Sequence, residues 1–260
     1  MAKWVLVALA VGVLAAAALL LLSVSARPRG GLLLYCAAGI QPPVKEIAAA
    51  YEKEHGVAVQ VQYGGSGQLL SSIEIAKRGD LFLAGDNSYI EMARKKGLVG
   101  ESIPLATMRP VILVGKGNPR KIRALEDLLR ADVRVALANP DQAAIGRTVR
   151  ELLRKAGTWD ALEKHAAVLK PTVNDLANDV KVGSADAAIV WDATARQYPD
   201  LEMVRSELLD QATEQVTVGV LCASTQPAEA LRFARYLGAA DRGLPIFRKH
   251  GYEPAEGGGK

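Results

Sequence analysis

The apolar positions of this chain fall in short dense runs, separated by stretches in which apolar residues recur every three or four places. Leu32-Leu33-Leu34-Tyr35-Cys36 is one unbroken run, the pattern of a strand covered on both faces. Ala37-Ala38-Gly39 then makes a small-residue turn. Pro42-Pro43 opens a helix that reaches about His55, where Gly56 stops it. Val57 to Tyr63 alternates as a second strand, and Gly64-Gly65-Ser66-Gly67 turns into a helix from Gln68 to Arg78. Asp80 to Ala84 is a third strand, followed by a helix containing Glu91-Met92-Ala93-Arg94. Such alternation predicts parallel strands with helices on their faces, an α/β fold.

A second set begins after Pro104 to Arg109. Pro110 to Gly115 reads as a strand, Leu125 to Arg130 as a short helix and Val133 to Leu137 as another strand. Asn139-Pro140-Asp141 turns into a helix over Arg147 to Ala156. Thr172-Val173-Asn174-Asp175 opens a further helix, and Ala187 to Trp191 is a buried strand. A strand near Thr217 to Leu221 precedes a last helix, Glu229 to Tyr236, and the Gly-rich stretch from Glu253 to Lys260 reads as a loose tail.

The N-terminus has a different character. Lys3 precedes an apolar run from Trp4 to Leu22, then Ser23-Val24-Ser25-Ala26, which permits cleavage after Ala26. The run exceeds the ~7–15 residues of a usual signal core and approaches the ~20 that span a bilayer. Residues 1–26 therefore read as a signal peptide or a retained membrane anchor. Either places the rest of the chain outside the cytoplasm.

Composition narrows the remaining options. The net charge is +4, and acidic and basic residues are interspersed, as in Glu52-Lys53-Glu54. No basic stripe interleaved with aromatics supports nucleic-acid binding. Cys36 and Cys222 lie in apolar runs and read as buried free thiols. His55, His165 and His250 stand beside charged residues and read as surface positions. Neither a Gly-Lys-Ser/Thr phosphate loop nor a dinucleotide fingerprint is present, and Gly64 to Gln68 lacks the last glycine of a Gly-x-Ser-x-Gly elbow. The chain points to no catalytic residues and no cofactor.

The informative feature is a set of small-residue turns, each leading into a helix: Ala37-Ala38-Gly39, Gly64 to Gly67, Asp141 to Gly146, and Thr172-Val173. A helix start offers unpaired N–H groups and partial positive charge, and glycine lets backbone approach a ligand closely. If several starts converge on one crevice, they can hold an oxyanion without lysine or arginine. Taken singly, each turn is explained by structure, and Thr172 to Asp175 reads fully as a helix cap.

At these turns the sequence resembles a known family. Leu34 to Ile40 resembles the first strand and turn of periplasmic molybdate-binding proteins, and Tyr63 to Leu69 with Gly79-Asp80-Leu81-Phe82 resembles the second turn and the next strand. Asn139-Pro140-Asp141 with Gly146-Arg147, Asp186 to Trp191, and Arg248 to Tyr252 resemble the later signatures. The resemblance implies a two-lobed periplasmic-binding-protein fold, each lobe a mostly parallel sheet flanked by helices, with the ligand cleft between them. The lobes would be residues 32–107 plus 217–254, and 108–216, leaving 255–260 as the tail.

It further implies a monomeric, non-catalytic importer component. That component takes up molybdate or tungstate and docks on a membrane permease with its ATPase. In relatives, a serine from each of the first two turns, backbone groups of the second lobe and a tyrosine hold the ligand. Here Ser66 matches the second serine, Ile145 and Val173 fall where backbone N–H groups contribute, and Ala38 in the first turn joins the ligand-binding set. Gly39 replaces the first serine, and Trp191 stands at the tyrosine position, an N–H donor in place of a phenol. Asp192 beside it either pairs locally or ligates the metal centre directly. A binder of sulfate, phosphate or ferric iron, and a membrane-tethered sensor or enzyme domain on the same fold, are the competing readings.

Overall fold

The dense apolar runs become the inner strands of two sheets. The computed structural model describes residues 30–255, so the predicted leader and residues 256–260 lie outside the described residues. The first sheet contains β1 (Leu32–Ala37), β2 (Val59–Gly64), β3 (Leu81–Ala84), β4 (Val99–Met108), β10 (Glu214–Leu221) and β11 (Glu253–Pro254), in the order β11-β4-β10-β3-β1-β2. The second contains β5 (Pro110–Gly115), β6 (Val135–Ala138), β7 (Val168–Lys170), β8 (Ala187–Trp191) and β9 (Leu201–Val204), in the order β7-β6-β8-β5-β9. Leu34, Leu81, Val135 and Ile189 are at most 1% exposed, and burying a side chain of this size is worth about 1.5–3 kcal/mol.

Both sheets are mixed. β1 runs parallel to β2 and β3, and β6 runs parallel to β7 and β8. β10 is antiparallel to β3 and β4, and β5 is antiparallel to β8 and β9. The antiparallel strands are those that carry the chain between lobes. β4 ends at Met108 in the first sheet and β5 begins at Pro110 in the second, while β10 brings the chain back. Met108 pairs with Glu214, and Arg109 Nε donates to Thr213 Oγ1 at 3.1 Å, so the two crossings lie side by side. β10 starts at Glu214, which puts Glu214–Val216 in the first sheet rather than with the second lobe.

The first lobe carries α1 (Gln41–His55), α2 (Ser66–Ala76), α3 (Asn87–Lys95), α8 (Pro227–Leu237) and α9 (Gly243–Lys249). The second carries α4 (Ala144–Lys155), α5 (Trp159–His165), α6 (Val173–Lys181) and α7 (Asp192–Ala195). α1 shows the sequence logic plainly: prolines in its first turn, Val44, Ile47, Ala48 and Tyr51 on its buried face, and Gly56 at φ 67° as its stop. Leu125–Leu129 is a 3-10 turn.

Three expectations change. Cys36 is buried, but Cys222 is exposed, because β10 ends at Leu221 and the chain turns there; both thiols are free. The tail is tied down further than its glycines suggest: Glu253–Pro254 pairs with β4, and Ala255 N donates to Leu105 O at 3.2 Å. Of the histidines, only His55 is exposed. His165 and His250 are half-buried against Val133 O and Glu46.

Candidate functional site

The turns singled out in the sequence open onto one cavity between the lobes. Ala37–Ile40, Gly64–Ser66, Gly85 and Met108 line it from the first sheet and its turns. Ala143–Ile145, Thr172, Val173 and Trp191 line it from the second lobe. The space is about 320 Å³ including its mouth, and among the described residues no charged side chain is part of the lining. Ala38, Gly39, Ser66, Ile145, Val173 and Trp191 thus share one cavity; Asp192 is not among its walls.

The walls are mostly helix starts. The 3-10 turn Ala38–Ile40 and helices α2, α4 and α6 all begin here, after N-cap residues Ala37, Gly65, Ala143 and Thr172. The first N–H groups of a helix have no carbonyl one turn upstream and need an acceptor from elsewhere. Alanine and glycine offer none, and the first three starts have no side-chain cap. An alanine N-cap costs about 1 kcal/mol relative to serine or asparagine, and an anion in the cavity would supply the missing acceptor. Each α-helix start carries roughly half a positive charge, so α2, α4 and α6 offset most of a dianion. Of these four starts, α6 alone has a side-chain cap. Thr172 Oγ1 accepts from Asp175 N at 3.2 Å, the Thr172 half of the expected capping box, and donates to Asp175 Oδ2 at 2.6 Å, so that carboxylate holds the hydroxyl rather than the Thr172 N–H.

Ser66 is the first residue of α2 and is 1% exposed. Its Oγ accepts from Gly85 N at 3.0 Å. That bond occupies a lone pair and leaves the hydroxyl proton available for the cavity. Gly85 and Met108 are wall residues that the sequence reading did not name. Gly85 had a usable signal: it follows the buried run Leu81–Ala84 just as the small residues after β1 follow theirs.

Gly39 is held from behind. Its carbonyl accepts from Tyr252 Oη at 2.7 Å and from Gln197 Nε2 at 2.8 Å, one donor from each lobe. Burial pushes the Tyr252 phenol well above its usual range, so it remains a neutral donor. The place a side chain on Gly39 would take is filled: a Cβ there would lie 2.8 Å from Val173 Cγ1 and 3.0 Å from Thr194 Oγ1.

Trp191 ends β8, is 3% exposed and forms part of the wall. The Asp192 carboxylate is engaged locally. Oδ1 accepts from Arg109 N at 3.1 Å and Ala193 N at 2.8 Å, and Oδ2 lies 3.8 Å from Arg196 Nη1. These contacts are those of the local-pairing alternative for Asp192. Among the described residues no group of three or more His, Cys, Asp or Glu is arranged to hold a metal ion.

Beside the cavity the lobes also meet through a side-chain hydrogen bond. Thr148 Oγ1 on α4 donates to Glu214 Oε1 at 3.1 Å. Burial, with a smaller contribution from Asp86, pushes the Glu214 carboxyl up to about 7. Asp86 is itself raised by burial while its carboxylate caps α3 through Ser88 N and Tyr89 N.

Known proteins are similar to this chain in sequence and in fold. A Haemophilus influenzae protein described only as a binding protein is 30% identical over 225 residues, 86% of this chain and 91% of its own. The molybdate-binding protein ModA of Mycobacterium tuberculosis is 26% identical over 212 residues, 80% of this chain and 79% of its own. Among solved structures, the Azotobacter vinelandii periplasmic molybdate-binding protein superposes with a TM-score of 0.72 at 19% identity, covering 85% of this chain and 98% of that one. The sulfate-binding protein SubI of M. tuberculosis gives 0.74 at 21%, covering 88% of each. Fructose-6-phosphate-bound AfuA of Actinobacillus pleuropneumoniae gives 0.77 at 17%, covering 89% and 87%. These superpositions establish the two-lobed fold. Residues 32–253 match the sequence profile of bacterial extracellular solute-binding proteins, and the chain belongs to that family.

Proposed function

We propose that this chain is the extracytoplasmic binding component of an ABC-type importer, that it captures molybdate or tungstate between its lobes, and that the closed form delivers the ion to a membrane permease and its ATPase. The observation that carries the reading is the convergence of four helix starts and the Ser66 hydroxyl on one cavity with no charged side chain in its walls. Such a wall neutralises a small dianion by N–H and O–H donation and still lets it leave. A non-catalytic role fits the same wall, which presents no general acid, base or nucleophile beyond two hydroxyls.

Capture requires that the ion bind the closed form more tightly than the open one. Donors from both lobes supply that difference, because the ion reaches both sets only when the lobes meet. Sulfate is the closest competitor, since backbone donors read charge and shape. Among the described residues no carboxylate lines the cavity to accept the proton of hydrogenphosphate, and no phenolate, carboxylate or imidazole lines it for ferric iron.

Thermal shift and isothermal titration against molybdate, tungstate, sulfate, phosphate and ferric citrate test the assignment. Molybdate or tungstate at about a hundred times its Kd is expected to raise the melting temperature by roughly 5–10 °C. Preference for sulfate would move the selectivity, and no response to any of these anions would refute oxyanion capture.

A further inference from the structure

Four glycines on the cavity-facing turns of the first lobe, Gly39, Gly65, Gly67 and Gly85, are seated against the second lobe. A Cβ on Gly65 would lie 2.3 Å from Gln142 O and 2.4 Å from Pro171 O, and one on Gly67 would lie 2.2 Å from Asp141 O. At Gly85 the distance to Ala144 Cβ is 3.2 Å. Cβ atoms essentially never approach another heavy atom within 3.0 Å. The lobes also bond directly here, Gly67 N donating to Gln142 O at 2.9 Å.

Local conformation does not explain these glycines. Gly56, Gly79 and five others have positive φ, but Gly65 and Gly67 do not, and Gly65 is ordinary extended backbone at φ −70°, ψ 146°. Gly67 lies in the first turn of α2, where glycine is a poor helix former and alanine would serve the helix better. What remains is the approach of the Asp141–Gln142 and Pro171 backbone.

We propose that Gly65 and Gly67 are positioning residues for ligand capture: their missing side chains set how far the lobes close, while Ser66 between them presents its donors to the ion. Gly39 belongs to the same contact face but meets a side chain, Val173 Cγ1, rather than backbone. The three positions therefore differ in a testable way. A methyl at 65 or 67 meets immovable carbonyls, whereas a methyl at 39 meets a group that a second substitution removes. The inference rests on capture by lobe closure and adds the residues that limit it.

The test follows lobe separation and binding together. Dyes on exposed Cys222 in the first lobe and on Val182→Cys in the second, which is 76% exposed in the wild type, report closure by energy transfer; buried Cys36 stays unlabelled. Sodium molybdate is the probe. Gly67→Ala is expected to keep or raise the melting temperature of the unliganded protein, to lose the molybdate-induced rise in transfer, and to bind at least about tenfold more weakly, because the competent closed form becomes rare. Gly65→Ala is expected to match it. Gly39→Ala is expected to bind weakly and to recover when Val173→Ala is added. Wild-type affinity and closure in Gly67→Ala would overturn the proposal. If the wild type itself takes no oxyanion, the assignment of function fails, and the ligand-free arm still decides this one: wild type shows a high-transfer population that Gly67→Ala lacks, or the proposal falls.

Discussion

Ser66→Ala separates what the hydroxyl does for the fold from what it does for the ion. In the unliganded protein Oγ accepts the Gly85 amide at 3.0 Å in a site where Ser66 is 1% exposed. Alanine removes that acceptor and leaves a buried N–H facing the cavity, where water can partly replace it. The expected loss is about 1 kcal/mol of stability, a melting temperature lower by roughly 2–4 °C. With the ion bound, the variant also lacks one charge-assisted hydrogen bond, about 1.5–3 kcal/mol, or roughly 10- to 150-fold in Kd. The backbone N–H of residue 66 is retained, so α2 still points at the ion and binding should weaken without vanishing. Isothermal titration with molybdate gives the affinity, and calorimetric melting without ligand gives the structural part. A lowered melting temperature with unchanged affinity would show that the hydroxyl serves Gly85 alone, and would refute its place in the binding set.

Three further outcomes follow from the same geometry. Thr172→Ala removes the cap of α6, and should cost about 1 kcal/mol in denaturant unfolding with little change in affinity. Asp192→Asn weakens the acceptor that holds Arg109 N and Ala193 N at the lobe crossing. A stability loss of about 1–2 kcal/mol with affinity within a few fold is expected, whereas abolished molybdate binding in a folded variant would restore a ligand role. Glu214 has a folded-state value of about 7 against an ordinary 4.5, so folding favours its protonated form. Stability should fall as pH rises between about 4.5 and 7, by at most ~3 kcal/mol, and level off above. Urea unfolding at pH 5 and pH 8 measures the difference, and Glu214→Gln should shrink it.

The inner strands were legible in the sequence because both of their faces are buried, so the apolar runs at Leu32–Ala37, Leu81–Ala84 and Ala187–Trp191 carry no polar interruption. β4 was not legible for the opposite reason. Gly100 and Glu101 are exposed, Ser102 is half-buried, and Pro104 interrupts the run; the register shifts there, from Val216 opposite Ala106 to Thr217 opposite Pro104. α9 hides behind Gly243 and Pro245 in the same way, and α5 is too short for its periodicity to stand out.

The site was legible where function rests on backbone, since small residues between a strand and a helix announce an accessible helix start whatever their neighbours are. It was not legible where function rests on space. From sequence, Gly39 is a serine position that has lost its hydroxyl. In the fold, Val173 Cγ1 and Thr194 Oγ1 stand where that side chain would go, and Tyr252 and Gln197 fix the peptide from behind. All four partners lie far along the chain, three of them in the other lobe, so no local pattern could reveal them. Restoring serine at 39 should therefore weaken capture rather than improve it, because the added atoms enter space that the second lobe fills when the lobes meet.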